Sequence, residues 1–170
     1  MLRKSLLVPL LGCLVLPLVA HAQFEAGDFS LTLGGSGSNS NDWDGVTFTV
    51  NGELGYLLTK EAEIGVRQGI SYQDFTGSAW NGATDVFFQY NFDLGRWVPY
   101  IGANIGFIYG DNVNDSWEAG PEGGLKVFVN STTFIQLSVA YEFFFKHNDK
   151  IGSAFSDGSW NYGLLIGFRF

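Results

Sequence analysis

The final twelve residues limit the fold more than any other stretch of this chain. From Ser159 to Phe170 the side chains alternate: Trp160, Tyr162, Leu164, Ile166, Phe168 and Phe170 fall on one face, and Ser159, Asn161, Gly163, Leu165, Gly167 and Arg169 on the other. A β-strand sends successive side chains to opposite faces, so this segment has a continuous apolar surface backed by a smaller and more polar one. In a water-soluble sandwich the apolar face would be core. The opposite end of the chain points instead to lipid as the solvent for that face.

Arg3 and Lys4 precede an apolar run from Leu6 to Val19, and Ala20-His21-Ala22 places small residues at the two positions a signal peptidase reads. Residues 1–22 are therefore expected to be a cleaved secretory signal peptide, and residues 23–170 one exported domain. Leu10-Leu11-Gly12-Cys13 is a competing lipobox, but it leaves only about eight residues between Lys4 and Cys13, at the short end for an apolar signal region. The run also falls short of the ~20 apolar residues a membrane-spanning helix needs. Without this leader, seven basic residues face 17 acidic ones, a net charge near −10. Such a surface repels nucleic acid and anionic head groups, and no basic cluster offers either a site. Cys13 leaves with the leader, so the exported domain must be stable without disulfides.

Read for period two, the rest of the chain divides into eight segments. Their apolar faces carry Phe29, Leu31 and Leu33; Val46, Phe48, Val50, Leu54 and Tyr56; Ile64, Val66, Ile70 and Tyr72; Val86, Phe88, Tyr90, Phe92 and Leu94. Trp97, Ile101, Ala103, Ile105, Phe107 and Tyr109 follow, then a weaker Leu125, Val127 and Val129, then Ile135, Leu137, Val139, Tyr141, Phe143 and Phe145, and last the segment described above. The interleaved positions hold Thr47, Thr49, Asn51, Glu53, Glu63, Arg67, Ser71, Gln73, Asp85, Gln89, Asn91, Asp93, Asn104, Glu122, Lys126, Gln136, Ser138, Glu142 and Asn161, and many of the others are glycine. In hydrocarbon every backbone group must be paired, and only a closed barrel removes sheet edges. A soluble ligand-binding barrel would invert the pattern, with its apolar face inside.

Three asymmetries favour lipid outside. The apolar stretches run about 9–11 residues, the length of a tilted transmembrane strand. Tight connections at Thr59-Lys60-Glu61, Gly95-Arg96 and Asn130-Ser131-Thr132 alternate with longer polar ones expected at residues 38–44, 74–82, 110–117 and 146–158. Trp43, Trp80, Trp117 and Trp160 border the four long loops and Trp97 a tight turn, which makes them an expected girdle at the membrane–water interface. The expectation is an all-β, eight-stranded, antiparallel up-and-down transmembrane β-barrel in an outer membrane.

The leader, the eight alternating segments, the glycine-rich interior and the terminal Tyr162-Gly163-Leu164-Leu165-Ile166-Gly167-Phe168-Arg169-Phe170 together resemble the small outer-membrane β-barrel superfamily of OmpX and the OmpA barrel. The last strand is the one specific motif in that resemblance. It implies that Gly163, Ile166, Phe168 and Phe170 serve as the insertion signal read by the barrel assembly machinery.

Register is readable inside the sequence. A turn about Lys60 sets Leu54 against Val66, Tyr56 against Ile64, Val50 against Ile70, and Glu53 against Arg67, so that apolar pairs share the outer face and the charged pair shares the lumen. A slip by one would put Arg67 into lipid, at roughly 2–4 kcal/mol at the midplane. A Glu53–Arg67 ion pair across the lumen is therefore expected. A two-residue Gly95-Arg96 turn aligns Leu94 with Trp97. Eight strands enclose little more than side chains can fill, so Lys126, Glu122, Gln89, Asn104 and Gln136 are expected to join that pair as a polar plug.

Catalytic and metal motifs are weak. His147 has Asn148 and Asp149 beside it and Ser153 and Ser156 downstream, but no spacing that holds a nucleophile on the imidazole. A calcium loop starting at Asp111 fails at Val113, which takes a ligand position, and at Ser116, which replaces the required glycine. Asp42, Asp44, Asp111, Asp115, Asp149 and Asp157 read as a hydrated acidic rim that divalent cations could bridge to lipopolysaccharide. Gly34-Gly35-Ser36-Gly37 opens a loop without the helix a phosphate site needs, and Asn130-Ser131-Thr132 reads as a turn. No cofactor is implied. The first functional reading is a non-catalytic barrel with a structural role, or one of surface interaction with an unidentified partner through its external loops. A narrow channel for small or apolar compounds comes second, a lipid A-modifying enzyme third and a soluble ligand-binding barrel fourth.

Overall fold

The computed structural model describes residues 24–39, 46–74, 77–146 and 158–170. Eight strands follow in chain order: β1 (Phe29–Asn39), β2 (Val46–Leu57), β3 (Ala62–Asp74), β4 (Ser78–Asn91), β5 (Trp97–Gly110), β6 (Ser116–Phe128), β7 (Thr133–Phe144) and β8 (Gly158–Arg169). Each pairs antiparallel with its sequence neighbours, and β8 returns to β1 to close a barrel. The tight turns share one end with Phe24 and Phe170, the first and last described residues. There Leu94 bridges Trp97 across Gly95-Arg96, and Gly95 takes φ 74°, the left-handed conformation a two-residue hairpin turn asks of its first residue. Asn130 Oδ1 accepts from the backbone N–H groups of Thr132 and Thr133, which fixes the β6–β7 turn.

The β2–β3 register is the one the alternation dictates, with Glu53 opposite Arg67 and Leu54 opposite Val66. Every strand turns its apolar set outward: Phe88, Ile105, Leu137 and Ile166 are 46–54% exposed. Glu53, Glu63, Glu122, Lys126 and Gln136 are buried inside. Where the outer face carries polar side chains at Gln68 and Thr84 they satisfy each other, Thr84 Oγ1 donating to Gln68 Oε1 at 2.7 Å.

Three of the expected loops are corrected. The strands run 11–14 residues, up to a few residues longer than their apolar stretches, because the alternation continues through segments read as loop. The long connection expected at 74–82 does not exist. β3 extends to Asp74 and β4 begins at Ser78, with Tyr72 opposite Trp80, Ser71 opposite Asn81 and Ile70 opposite Gly82. Asn81-Gly82 is a strong local hairpin signal, but here cross-strand pairing overrides it. The connection expected at 110–117 contracts to residues 111–115, and Gly34–Asn39, read as opening a loop, belongs to β1.

Candidate functional site: the barrel lumen

Inward-facing residues from seven strands build a continuous polar network in the half of the lumen nearest the termini. Its first layer centres on Lys126 of β6, 1% exposed, whose Nζ donates to Glu63 Oε2 at 2.6 Å and to Gln89 Oε1 at 2.9 Å. Asn91 Nδ2 also donates to Glu63 Oε2, and Ser30 Oγ donates to Glu63 Oε1. The ammonium lies 5.0 Å from the Tyr100 ring centroid and 5.2 Å from that of Phe24. A buried charge persists only when it is paired and hydrogen-bonded, and this one has both, with aromatic faces around it.

The second layer centres on Arg67 of β3. Its Nε lies 2.6 Å from Glu53 Oε1 and its Nη2 2.9 Å from Glu122 Oε2. Glu53 Oε2 accepts from Thr32 Oγ1 and Gln136 Nε2, both at 3.0 Å, and Glu122 Oε1 accepts from Gln89 Nε2 at 2.7 Å. Asn104 Nδ2 links Glu122 to Glu142, at 3.3 and 2.7 Å. Gln89 thus joins the layers, giving its amide N–H to Glu122 and its oxygen to Lys126.

Below the network an apolar cap closes the terminal end. Phe24, Leu57, Val98, Phe128 and Phe134 form one buried cluster, with the Phe24 ring edge-on to those of Phe128 and Phe134 at centroid distances of 5.2 and 5.9 Å. Sequence reading misses this cap because it treats the interleaved positions as polar. Strand parity was the available signal: once Val127 faces out and Ile135 faces out, Phe128 and Phe134 must face in. Glu118, buried in the lumen, is missed because its segment resembles a loop. Glu122 belongs to the lumen network and not to the 111–115 loop.

Above the network lies a cavity of about 340 Å³ lined by Glu53, Arg67, Asp85, Glu118, Glu122 and Glu142, together with smaller polar residues. Arg67 is the one cation among those residues, and it is committed to Glu53 and Glu122.

Of the tryptophans, Trp80, Trp117 and Trp160 lie on the outer face near the loop end and Trp97 near the terminal end, all 42–60% exposed. Trp80 packs on Tyr72 at 4.6 Å and Trp160 on Tyr141 at 5.0 Å, while Phe29, Tyr56 and Phe170 cluster at the terminal end. Trp43 lies outside the described residues, as do residues 1–22 expected to be a leader, His147, Ser153 and Ser156. Ile166, Phe168 and Phe170 face outward, and Gly163 faces the cavity. Phe29 and Phe170 exchange backbone hydrogen bonds at 2.8 and 3.0 Å at the foot of the β1–β8 seam.

No protein-family model and no curated protein matches the sequence. Solved structures do match the fold. The outer-membrane protein OprG from Pseudomonas aeruginosa superposes with a TM-score of 0.59 at 14% identity, covering 86% of this chain and 97% of that one. The N-terminal β-barrel domain of Pseudomonas aeruginosa OprF gives 0.57 at 18%, covering 86% and 98%. Neisserial surface protein A gives 0.56 at 14%, covering 84% and 94%. The chain shares with these outer-membrane proteins the fold of a closed eight-stranded antiparallel barrel.

Proposed function

We propose that this chain is an outer-membrane protein of a double-membraned bacterium, exported by its leader and inserted through its last strand. In that reading the termini and tight turns are periplasmic, and the barrel is non-catalytic. Its roles are support of the membrane and contact with a surface partner through the loops. The observation that carries the reading is the inversion of an ordinary core: apolar side chains ring the outside while Lys126, Arg67, Glu53, Glu63 and Glu122 are buried within. A soluble barrel with that outer surface would expose a greasy band far larger than a monomer tolerates. Aromatic clusters near both ends of the strands suit the two interfaces of a bilayer.

The reading also makes the barrel non-conducting along its axis. Among the described residues the buried Phe24 cap and Lys126 layer fill the lumen toward the terminal end, which weighs against the narrow axial channel. Purified protein in planar bilayers should give no discrete conductance steps, while the same sample, unheated, should migrate in dodecyl sulfate gels as a folded band that shifts on boiling. Regular single-channel steps would overturn the closed-lumen reading. Solubility without detergent and one unshifted band would overturn the membrane reading.

A further inference from the structure

The β1–β8 seam is the weakest in the barrel. Its ladder holds five pairs, from Ser30↔Arg169 to Gly34↔Leu165, whereas the other seven seams hold nine to thirteen. Beyond Gly34 the strands part. β1 continues to Asn39 paired only with β2, and β8 from Gly158 to Leu164 is paired only with β7. Gly34 marks the last close approach: a Cβ there would meet Leu164 O and Leu165 Cγ, each at 2.9 Å. The cavity above the Arg67 layer reaches this parting, because its lining includes Ser36 and Gly163 from the two separated strands and also Tyr162, which belongs to the outer face. Tyr162 and Leu164 are 78% and 66% exposed, among the highest values on the outer face, as expected where a neighbouring strand is missing.

The rest of the cavity wall is acidic. Asp85, Glu118 and Glu142 form no ion pair with any described residue. Asp85 Oδ1 and Glu142 Oε2 have no hydrogen-bond partner, although their residues are only 7% and 5% exposed. Asp85 and Glu118 share a side-chain hydrogen bond, and the buried carboxylate oxygens left without a donor call for a cation or a proton. The gap at the seam calls for something that tolerates lipid.

We propose that the lumen binds a cationic amphiphile from the membrane side, its charged head against Asp85, Glu118 and Glu142 and its tail passing between β1 and β8 into the bilayer. Either half alone would fit a simpler ligand, an inorganic cation for the acids or a neutral lipid tail for the gap. Their continuity in one cavity selects a molecule with both ends. The cavity is large enough for a small ammonium head group with its first methylenes, and Leu165 and Tyr162 give the tail an apolar exit. The proposal rests on the membrane reading above, and each test sample is first checked for the heat-shifted folded band, so that loss of the barrel and loss of the site are told apart.

The test is calorimetric titration of the protein in phosphatidylcholine nanodiscs, corrected for empty nanodiscs, with dodecyltrimethylammonium, dodecyl sulfate and tetramethylammonium as probes. Saturable one-to-one binding is expected for the first alone, weakened at least about tenfold by Asp85→Asn with Glu142→Gln in a barrel that still shows its folded band. A diazirine placed along the tail of the cationic probe should label Ser36, Tyr162 and Leu164. Equal binding of dodecyl sulfate, unchanged affinity in the double variant, or labelling spread evenly around the outer face would overturn the proposal. Binding of tetramethylammonium as tight as that of the long-chain probe would overturn the role of the seam.

Discussion

Lys126→Met should lower the unfolding free energy of the barrel, measured by urea titration from lipid vesicles with tryptophan fluorescence, by about 3–5 kcal/mol, the usual cost of stripping one partner from a buried ion pair. Methionine keeps most of the length of the side chain, so the loss is electrostatic more than steric. Glu63, 1% exposed, would keep only the donors Ser30 Oγ and Asn91 Nδ2 and would have no counter-charge within reach. Gln89 would lose the donor to its amide oxygen. The second variant makes the argument specific. Lys126→Met with Glu63→Gln removes both charges, and most of the stability should return, because a neutral pair of similar volume carries no desolvation cost. A single variant within about 0.5 kcal/mol of the parent would show that Lys126 is reached by water and that the plug is not the buried network described here.

Ile105→Arg should cost about 2–4 kcal/mol in the same assay, the penalty for a cation on the lipid face of a membrane barrel near the midplane. Ile105 is central in β5, lies opposite Val86 and Ala119, and is 48% exposed. In water that exposure would make arginine almost neutral, since surface substitutions are usually worth less than about 0.5 kcal/mol. The two environments therefore predict effects several-fold apart at one residue. Ser131→Arg, in the exposed β6–β7 turn at the terminal end, supplies the internal comparison and should change stability little. Equal, small effects at both positions would contradict a lipid environment for the outer band.

How much of this was legible in the sequence depends on whether a feature is set by parity or by the closing of the barrel. Parity is local. Val50, Leu54 and Val66 against Glu53 and Arg67 determine face and register together, since any slip reverses every side chain. The lumen positions of Gln89, Asn104, Glu122, Lys126 and Gln136 follow from the same rule. What composition suggested was less secure: residues 78–82 contain Asn81-Gly82 and read as the end of a loop, yet β3 supplies a partner for every one of them. The terminal cap needed parity to be pursued past the polar residues. Phe24 lies outside the strands, and nothing local shows that its ring will meet Phe128 and Phe134. The open upper seam was not legible at all. It depends on which residue of β1 meets which residue of β8, a relation between the two ends of the chain that no hairpin turn constrains.

The most direct test of the outward orientation is a spin label at Ile105. Cys13 is the only cysteine in the sequence, so Ile105→Cys in a chain produced from Gln23 onward offers a single attachment point. In a bilayer, the account predicts that the nitroxide collides readily with dissolved oxygen and scarcely with a water-soluble nickel chelate. Free access of the chelate and little of oxygen would contradict it.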